Sequence, residues 1–232
     1  MSKSDQLAIC LVSGGMDSLV SAAIAHQEYK RLAFLHLNYN QKTEKKEFES
    51  FQKIADFYSI PKTLRKVIDV SFLGQIGGSS LTDKSIDVKK YQGDSLEIPD
   101  SYVPFRNTHI ISMAVSWAEI VGAKKIYIGA VSEDSSGYPD CRPEYYEALN
   151  NLVRLGTKDG DIEIITPLLF LRKDQIIQKA IELNAPLEHT WSCYAKEDKA
   201  CGECDSCALR LRGFQKLGIE DPIEYHARPS YL

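Results

Sequence analysis

The stretch LAICLVSGGMDSLV, residues 7–20, decides the predicted fold. Its first six residues, 7–12, are all apolar, which is typical of a strand buried on both faces of a parallel sheet. The segment SGGMDS at 13–18 then ends the strand, and residues 19–29 have the pattern of a helix. A strand that passes through a glycine turn into a helix predicts the first half of a βαβ unit.

The same alternation of strand and helix continues along most of the chain. Further strands are predicted at 31–39, 63–70, 124–130 and 162–170, and helices at 43–58, 105–122, from 143 onwards, at 173–184 and at 207–217. The predicted fold class is α/β, with a doubly wound, mostly parallel, five-stranded sheet. The charged run KTEKKEFE at 42–49 is interpreted as the solvated face of a helix. Residues 71–102 are rich in Gly, Ser and Asp and long for a passive connection, so we expect a lid or substrate loop there.

Composition excludes several classes of protein. The chain has 232 residues, 44% of them hydrophobic and 26% charged, which excludes a disordered or fibrous chain. No apolar run is long enough to cross a membrane, and the first residues have no pattern of a secretion signal. A net charge of −4 gives no overall attraction for nucleic acid. We therefore expect a cytoplasmic protein with no membrane and no nucleic-acid partner.

The segment at 13–18 has the composition of an anion-binding loop. At the start of a helix the backbone N–H groups lack partners within the helix, and the helix dipole favours a negative charge. Gly14 and Gly15 let the backbone approach such an anion, and the hydroxyls of Ser13 and Ser18 can donate to it. The spacing fits neither the GxxxxGKS loop of common NTPases nor the GxGxxG loop of dinucleotide folds. A glycine turn with a Ser or Asp cap is the alternative interpretation.

Four of the six cysteines lie close together near the C-terminus. They are Cys193, Cys201, Cys204 and Cys207. Two overlapping CxxC steps are typical of a closed tetrahedral zinc site, so we expect Zn²⁺ that holds the C-terminal segment rather than Zn²⁺ that activates water. An iron–sulfur cluster is the alternative for the same four thiolates. Of the other two cysteines, Cys10 is predicted to be a small core residue and Cys141 to line a pocket.

The motif SGGMDS after the first strand resembles the PP-loop of the ATP pyrophosphatases, which bind the β,γ-diphosphate of ATP, adenylate a substrate oxygen and release pyrophosphate. Six further segments complete a wider resemblance: LNYNQK at 37–42, YVPFRNTHII at 102–111, SSGYPDCRPEY at 135–145, PLLFLRKDQI at 167–176, TWSCY at 190–194 and CGECDSCALR at 201–210. With them, nearly the whole chain resembles the 7-cyano-7-deazaguanine synthase family of the queuosine pathway.

This resemblance implies a domain organisation and an activity. It implies an adenine-nucleotide α-hydrolase-like PP-loop domain over 1–185, with a lid-like insertion near 71–102, and a small zinc-binding helical segment over 186–232. It further implies a homodimeric C–N ligase that converts 7-carboxy-7-deazaguanine, ammonia and ATP to 7-cyano-7-deazaguanine. The carboxylate and then the amide intermediate would each be adenylated.

The resemblance also implies the site residues. ATP would be bound by Val12, Ser13, Gly14, Gly15, Met16, Asp17, Ser18, Leu19, Leu37 and Gly129, and the deazaguanine by Arg106, Asn107, Glu133, Asp134, Tyr138, Asp140 and Arg142. Three of the residues would be catalytic: Asp17 through Mg²⁺, Lys173 at a phosphate, and Arg106 at a phosphate or carboxylate.

Two other functions are compatible with the same motifs. A related PP-loop enzyme could adenylate a similar acid and join it to a macromolecule, or could modify tRNA. A protein that is not an enzyme could use the cysteines as a zinc-ribbon binding module on a degenerate nucleotide fold. The intact SGGMDS favours an enzyme, since a binding module has no use for a pyrophosphate site.

Overall fold

The computed structural model describes residues 3–94, 97–132 and 137–232. Within these ranges the strands are β1 (Ser4–Leu11), β2 (Tyr29–Asn38), β3 (Arg65–Asp69), β4 (Lys125–Tyr127) and β5 (Glu163–Ile165). The helices are α1 (Met16–Glu28), α2 (Glu44–Phe57), α3 (Phe72–Ile76), α4 (Arg106–Val121), α5 (Pro143–Gly156), α6 (Lys173–Glu182) and α7 (Asp205–Lys216). Short 3₁₀ turns lie at Lys62–Leu64, Pro139–Cys141 and Leu187–His189.

The strands form one sheet in the order β3-β2-β1-β4-β5. Each pair of neighbouring strands in the described ranges is parallel, which confirms the predicted doubly wound α/β class. Central strand β1 places Ala8 opposite both Leu32 of β2 and Lys125 of β4. The chain adds strands on one side of β1 and then on the other, so the strand order reverses between β1 and β4. Open α/β sheets bind their ligands at such a reversal.

Each face of the sheet is covered by its own hydrophobic core. Because successive residues of a strand point to opposite faces, β1 contributes Ile9 to one core and Ala8 and Cys10 to the other. Helices α4 and α5 cover the first face, whereas α1, α2 and α6 cover the second. Cys10 is fully buried, as predicted. Burial of both faces explains why the central strands are continuous apolar runs.

The insertion between β3 and α4 packs on the C-terminal segment. The Tyr91 backbone N–H donates to the Glu203 carbonyl at 2.7 Å, and Arg212 of α7 pairs with Asp94 at 2.9 Å. Short helix α3 at the start of the insertion was not predicted, because its five residues are too few to show a helical period and precede a stretch rich in Gly and Ser. The described parts of the insertion are therefore attached to the cysteine-rich segment.

Among the residues described, no helix has both the length and the apolar character needed to span a lipid bilayer.

Candidate active site

A cavity of about 270 Å³ opens at the carboxyl ends of three neighbouring strands. The ends of β1, β2 and the extension of β4 contribute Leu11, Leu35 and Ile128 to its wall. The cavity therefore lies beside the reversal of strand order, where the topology predicts a ligand.

Hydrogen bonds within the segment 13–18 hold it as a compact loop. The Ser13 hydroxyl accepts from the Gly15 backbone N–H at 3.2 Å and donates to the Ser18 hydroxyl at 3.2 Å. Ser18 in turn donates to the Gly15 carbonyl at 2.8 Å. Helix α1 begins directly after Gly15, and no side chain caps its first turn. The N–H groups of that turn are thus suited to binding an anion.

Two glycines are required by the packing of this loop. Gly14 has a φ of +95°, and a Cβ on it would lie 2.4 Å from the carbonyl oxygen of Glu47. A Cβ on Gly129 would lie 2.5 Å from the backbone carbonyl of Asp17. Helix α2 and the end of β4 therefore support the loop from two sides at backbone contact distance.

A charged pair lies beside the loop. Lys173 Nζ donates to both carboxylate oxygens of Asp17, each at 3.0 Å. Lys173 is the first residue of α6, where the helix dipole disfavours a cation, so the Asp17 carboxylate offsets that cost. Both side chains line the cavity and remain partly exposed to solvent, at 13% for Lys173 and 31% for Asp17. The pair can therefore rearrange around a bound phosphate.

Arg106 provides a second cation in the same cavity. It donates to the Tyr39 hydroxyl at 3.2 Å and lies over the Tyr39 ring, 5.4 Å from the centroid. Burial acts to lower the pKa of Arg106, but Tyr39, Tyr138 and Asp140 nearby raise it above its ordinary value, so the guanidinium stays charged. Burial also raises the pKa of Tyr39 to about 12, so this phenol is neutral at pH 7. The arrangement can bind an anionic group of a ligand.

Asp140 holds the start of α4, next to Arg106. Its carboxylate accepts from the Asn107 backbone N–H at 3.0 Å, and the Asn107 side-chain amide donates to the Asp140 carbonyl at 2.9 Å. Asp140 is 4% exposed and lies behind the cavity wall, whereas Asn107 and Cys141 line the cavity. Asp140 therefore positions the first residues of α4 in this structure.

The structure brings most of the predicted nucleotide-binding residues together. Eight of them line the cavity: Val12, Ser13, Gly15, Met16, Asp17, Ser18, Leu37 and Gly129. Gly14 contacts α2 beneath the loop, and Leu19 is in the core. Of the predicted substrate-binding residues, Arg106, Asn107 and Tyr138 line the cavity, Asp140 and Arg142 do not, and Glu133 and Asp134 lie outside the described residues.

Glu47 lines the cavity, although its charged run was interpreted as a solvated face. Its carboxylate accepts from Thr43 Oγ1 at 2.7 Å and from Gln41 Nε2 at 3.2 Å. Burial raises its pKa to about 7, and the hydrogen bonds from Thr43 and Gln41 only partly oppose that increase. The sequence does contain a signal, because Glu47 precedes the buried Phe51 and Ile54 by four and seven residues and so shares their helix face.

The C-terminal segment supplies a wall of the cavity that sequence reasoning missed. Trp191, Tyr194 and Asp205 all line it. The Trp191 backbone N–H donates to the Gly14 carbonyl at 2.9 Å, which joins this segment to the loop at 13–18, named the phosphate loop after its predicted ligand. No local pattern in the sequence indicates that contact, since the two residues are far apart along the chain.

The four clustered cysteines fit a tetrahedral metal ion. Their sulfur atoms all lie within 4.8 Å of one another, and Cys201 and Cys207 are 3.8 Å apart. Four thiolates at a zinc–sulfur distance of about 2.3 Å would be about 3.8 Å apart. Backbone N–H groups of Cys201 and Cys204 also donate to cysteine sulfurs at 3.3 Å, which stabilises thiolates. Zn²⁺ held by all four would have no open position for water.

Comparison with known proteins shows the family of this chain. The family model for "Queuosine biosynthesis protein QueC" matches residues 7–218. A 7-cyano-7-deazaguanine synthase from Chlorobium chlorochromatii (strain CaD3) is 57% identical over 97% of this chain and 98% of the relative. One from Chloroherpeton thalassium (strain ATCC 35110 / GB-78) is also 57% identical, over 97% of this chain and 99% of the relative. The chain therefore belongs to the queuosine biosynthesis protein QueC family.

Proposed function

We propose that this protein is an ATP-dependent 7-cyano-7-deazaguanine synthase of queuosine biosynthesis. The observation that carries the proposal is one cavity, in a member of this family, that contains a phosphate loop with its Asp17–Lys173 pair and also Arg106. The reaction joins 7-carboxy-7-deazaguanine and ammonia at the expense of ATP. The curated relatives named above carry the name of this activity.

The chemistry requires two activations of the substrate. A carboxylate does not expel hydroxide at neutral pH, whereas an acyl adenylate expels AMP readily. The substrate carboxylate attacks the α-phosphorus of ATP and pyrophosphate leaves; ammonia then displaces AMP and forms the amide. The amide oxygen is adenylated in the same way, and its departure with AMP, together with loss of the remaining N–H protons, leaves the nitrile. Each AMP thus carries away one substrate oxygen.

The residues of the cavity have separate roles in this proposal. The N–H groups and hydroxyls of the loop at 13–18 bind the β,γ-diphosphate, and Lys173 contacts a phosphate oxygen. Arg106 holds the substrate carboxylate or the α-phosphate by bidentate hydrogen bonds. Asp17 would hold Mg²⁺, since a carboxylate with phosphate oxygens is a donor set that this ion prefers, and the bound ion would offset phosphate charge.

The cysteine cluster has a structural role in this proposal. Zn²⁺ on the four thiolates would hold the segment 186–232 against the PP-loop domain at 1–185. The hydrogen bond from Trp191 to Gly14 supports this structural role, because it joins the segment directly to the phosphate loop. The lid function of 71–102 and the homodimer remain predictions; light scattering on the purified protein tests the dimer.

Product analysis tests the proposed function. The purified protein is incubated with ATP, Mg²⁺, ammonium and 7-carboxy-7-deazaguanine, and the products are identified by mass spectrometry. We expect the nitrile, AMP and pyrophosphate, and no nitrile when ammonium is omitted. Release of ADP and inorganic phosphate without AMP would exclude the proposal. Turnover with tRNA or a protein acceptor in place of ammonia would favour the alternative PP-loop enzyme.

A further inference from the structure

Asp205 presents a carboxylate to the cavity that the roles above do not use. It is the first residue of α7 and directly follows the cysteine ligand Cys204. Its side chain lines the cavity and is half-buried. Across residues 3–94, 97–132 and 137–232, no side chain or backbone group forms a hydrogen bond or an ion pair with this carboxylate. The charges of Lys89 and Asp100, which pair with each other at 3.0 Å, act on this carboxylate in opposite directions, and neither residue hydrogen-bonds to it. A half-buried carboxylate that accepts no hydrogen bond is costly, which points to a ligand that supplies donors.

The walls near Asp205 suit a flat, aromatic ligand. Tyr194 and Leu209 line the same cavity, and Leu209 lies one helical turn after Asp205. Tyr138, also in the wall, is fixed by a 2.7 Å hydrogen bond between its hydroxyl and Ser101 Oγ. Aromatic and apolar side chains around a few polar groups are typical of sites for planar heterocycles.

Two opposite charges in the cavity remain separate from each other. The guanidinium of Arg106 donates to Tyr39, and no ion pair forms between Arg106 and Asp205 in the described chain. The substrate of the proposed function has the complementary arrangement. Its guanine-type ring has two donors on one edge, the ring N–H and the 2-amino group, and a carboxylate on the other ring.

We propose that Asp205 accepts hydrogen bonds from the ring N–H and the 2-amino group of the substrate and thereby selects a guanine-type acid. This inference rests on the proposed function and makes Asp205 a specificity-determining residue. A carboxylate offers two acceptor oxygens that match two parallel donors, whereas an amide offers one acceptor and one donor group. Arg106 binds the carboxylate of the same molecule, so the two charges orient the ring.

A structural role for Asp205 predicts different behaviour. A carboxylate in the first turn of a helix stabilises that helix through its dipole. Loss of that effect would lower the stability of α7 and the retention of zinc by Cys204 and Cys207. It would not change the discrimination between two ligands that differ only in the 2-amino group.

Binding measurements on Asp205→Asn separate the two roles. Calorimetry without ATP measures the affinity for 7-carboxy-7-deazaguanine and for its analogue that lacks the 2-amino group. We expect the unmodified protein to prefer the complete acid by about 10- to 100-fold, as for other charge-assisted base contacts. Asp205→Asn should bind the complete acid about 10- to 100-fold more weakly and should nearly abolish the preference. Glu203→Gln is the matched control, because it removes a carboxylate next to Cys204 that pairs with Lys90 instead.

Zinc content and ATP affinity complete the experiment. We expect both to be unchanged in Asp205→Asn and Glu203→Gln. An unchanged ligand preference in Asp205→Asn, or weaker binding that accompanies loss of zinc, would overturn the inference. If Asp205→Asn does not fold, Asp205→Ser, which retains a good helix-start residue, takes its place; failure of both to fold would show a structural role. The binding result stands apart from the proposed function, which fails if the unmodified protein forms no nitrile.

Discussion

Lys173 and Asp17 join the first turns of α6 and α1, with Lys173 Nζ 3.0 Å from each carboxylate oxygen. Each residue places a charge beside the phosphate loop. The two opposite charges neutralise each other, and both side chains remain partly exposed to solvent. A bound nucleotide can take the place of either partner in this pair, so that neither charge is left buried and unpaired. In the proposed function, the pair keeps the site assembled before ATP binds.

Asp17→Asn should retain the fold and lose most ATP-dependent turnover. Removal of the charge weakens Mg²⁺–diphosphate binding and leaves Lys173 without its ion pair, and we expect AMP formation to fall by about 10²-fold or more. The cost in folding stability should be small, because a partly exposed pair contributes about 0–1 kcal/mol. AMP release and thermal melting measure the two effects. Asp174→Asn, which removes the neighbouring carboxylate paired with Arg172, is the control, and equal turnover in both variants would contradict the assignment.

Gly129→Ala should displace the phosphate loop. The added Cβ would lie 2.5 Å from the Asp17 carbonyl, so the backbone must shift, with an expected cost of about 1–3 kcal/mol. We also expect weaker ATP binding, because Asp17 and Ser18 move with the loop. Chemical denaturation and nucleotide titration test both effects. In Gly156→Ala the added Cβ meets nothing within 4 Å, so a variant at Gly129 that behaves like this control would refute the packing argument.

Cys204→Ser should lower zinc content and thermal stability together. A hydroxyl is a poor replacement for a thiolate ligand, and the binding energy of a structural metal contributes directly to folding. Elemental analysis of the purified protein measures zinc and also iron, which tests the iron–sulfur alternative. Cys141→Ser, at a cysteine outside the cluster, should retain the metal. One zinc per chain in Cys204→Ser would show that the ligand set is wrong.

Glu47 should make folding stability fall as the pH rises from 5 to 8. Its pKa is about 7 in the folded protein against an ordinary value near 4.5, so the folded state retains a proton that the unfolded chain releases. Between these values the folded state binds more protons, and raising the pH lowers the free energy of unfolding by up to about 3 kcal/mol. The loss is nearly complete at about pH 8, one unit above the pKa in the folded protein.

Denaturation of Glu47→Gln across this pH range provides the measurement. Glutamine does not titrate, so the variant should lose less stability between pH 5 and 8 than the unmodified protein. Any constant offset from altered hydrogen bonds to Thr43 or Gln41 does not affect this slope. Glu49→Gln on the same helix removes an exposed carboxylate and should retain the original slope. Parallel curves for Glu47→Gln and the unmodified protein would disprove the raised pKa.

Local features of the sequence were sufficient to predict the α/β class and the clustering of the four cysteines, whereas the phosphate-binding role of the loop at 13–18 stays a prediction. Hydrophobic periodicity reports whether a segment is a strand or a helix, and the order of segments then limits the topology. The SGGMDS turn and the CxxC steps lie within short segments, so their geometry depends mainly on neighbouring residues. The same reasoning missed α3, whose five residues are too few to show a period.

Only the tertiary structure decided which distant residues surround the phosphate loop. Glu47 faces the cavity because α2 packs against Gly14, and Trp191 does so because its backbone bonds to the same glycine. Asp205 reaches the cavity through the docking of the cysteine-rich segment, although its sequence context indicates only a helix start. Such contacts depend on the packing of whole elements, and a side chain's type and neighbours along the chain carry no information about that packing.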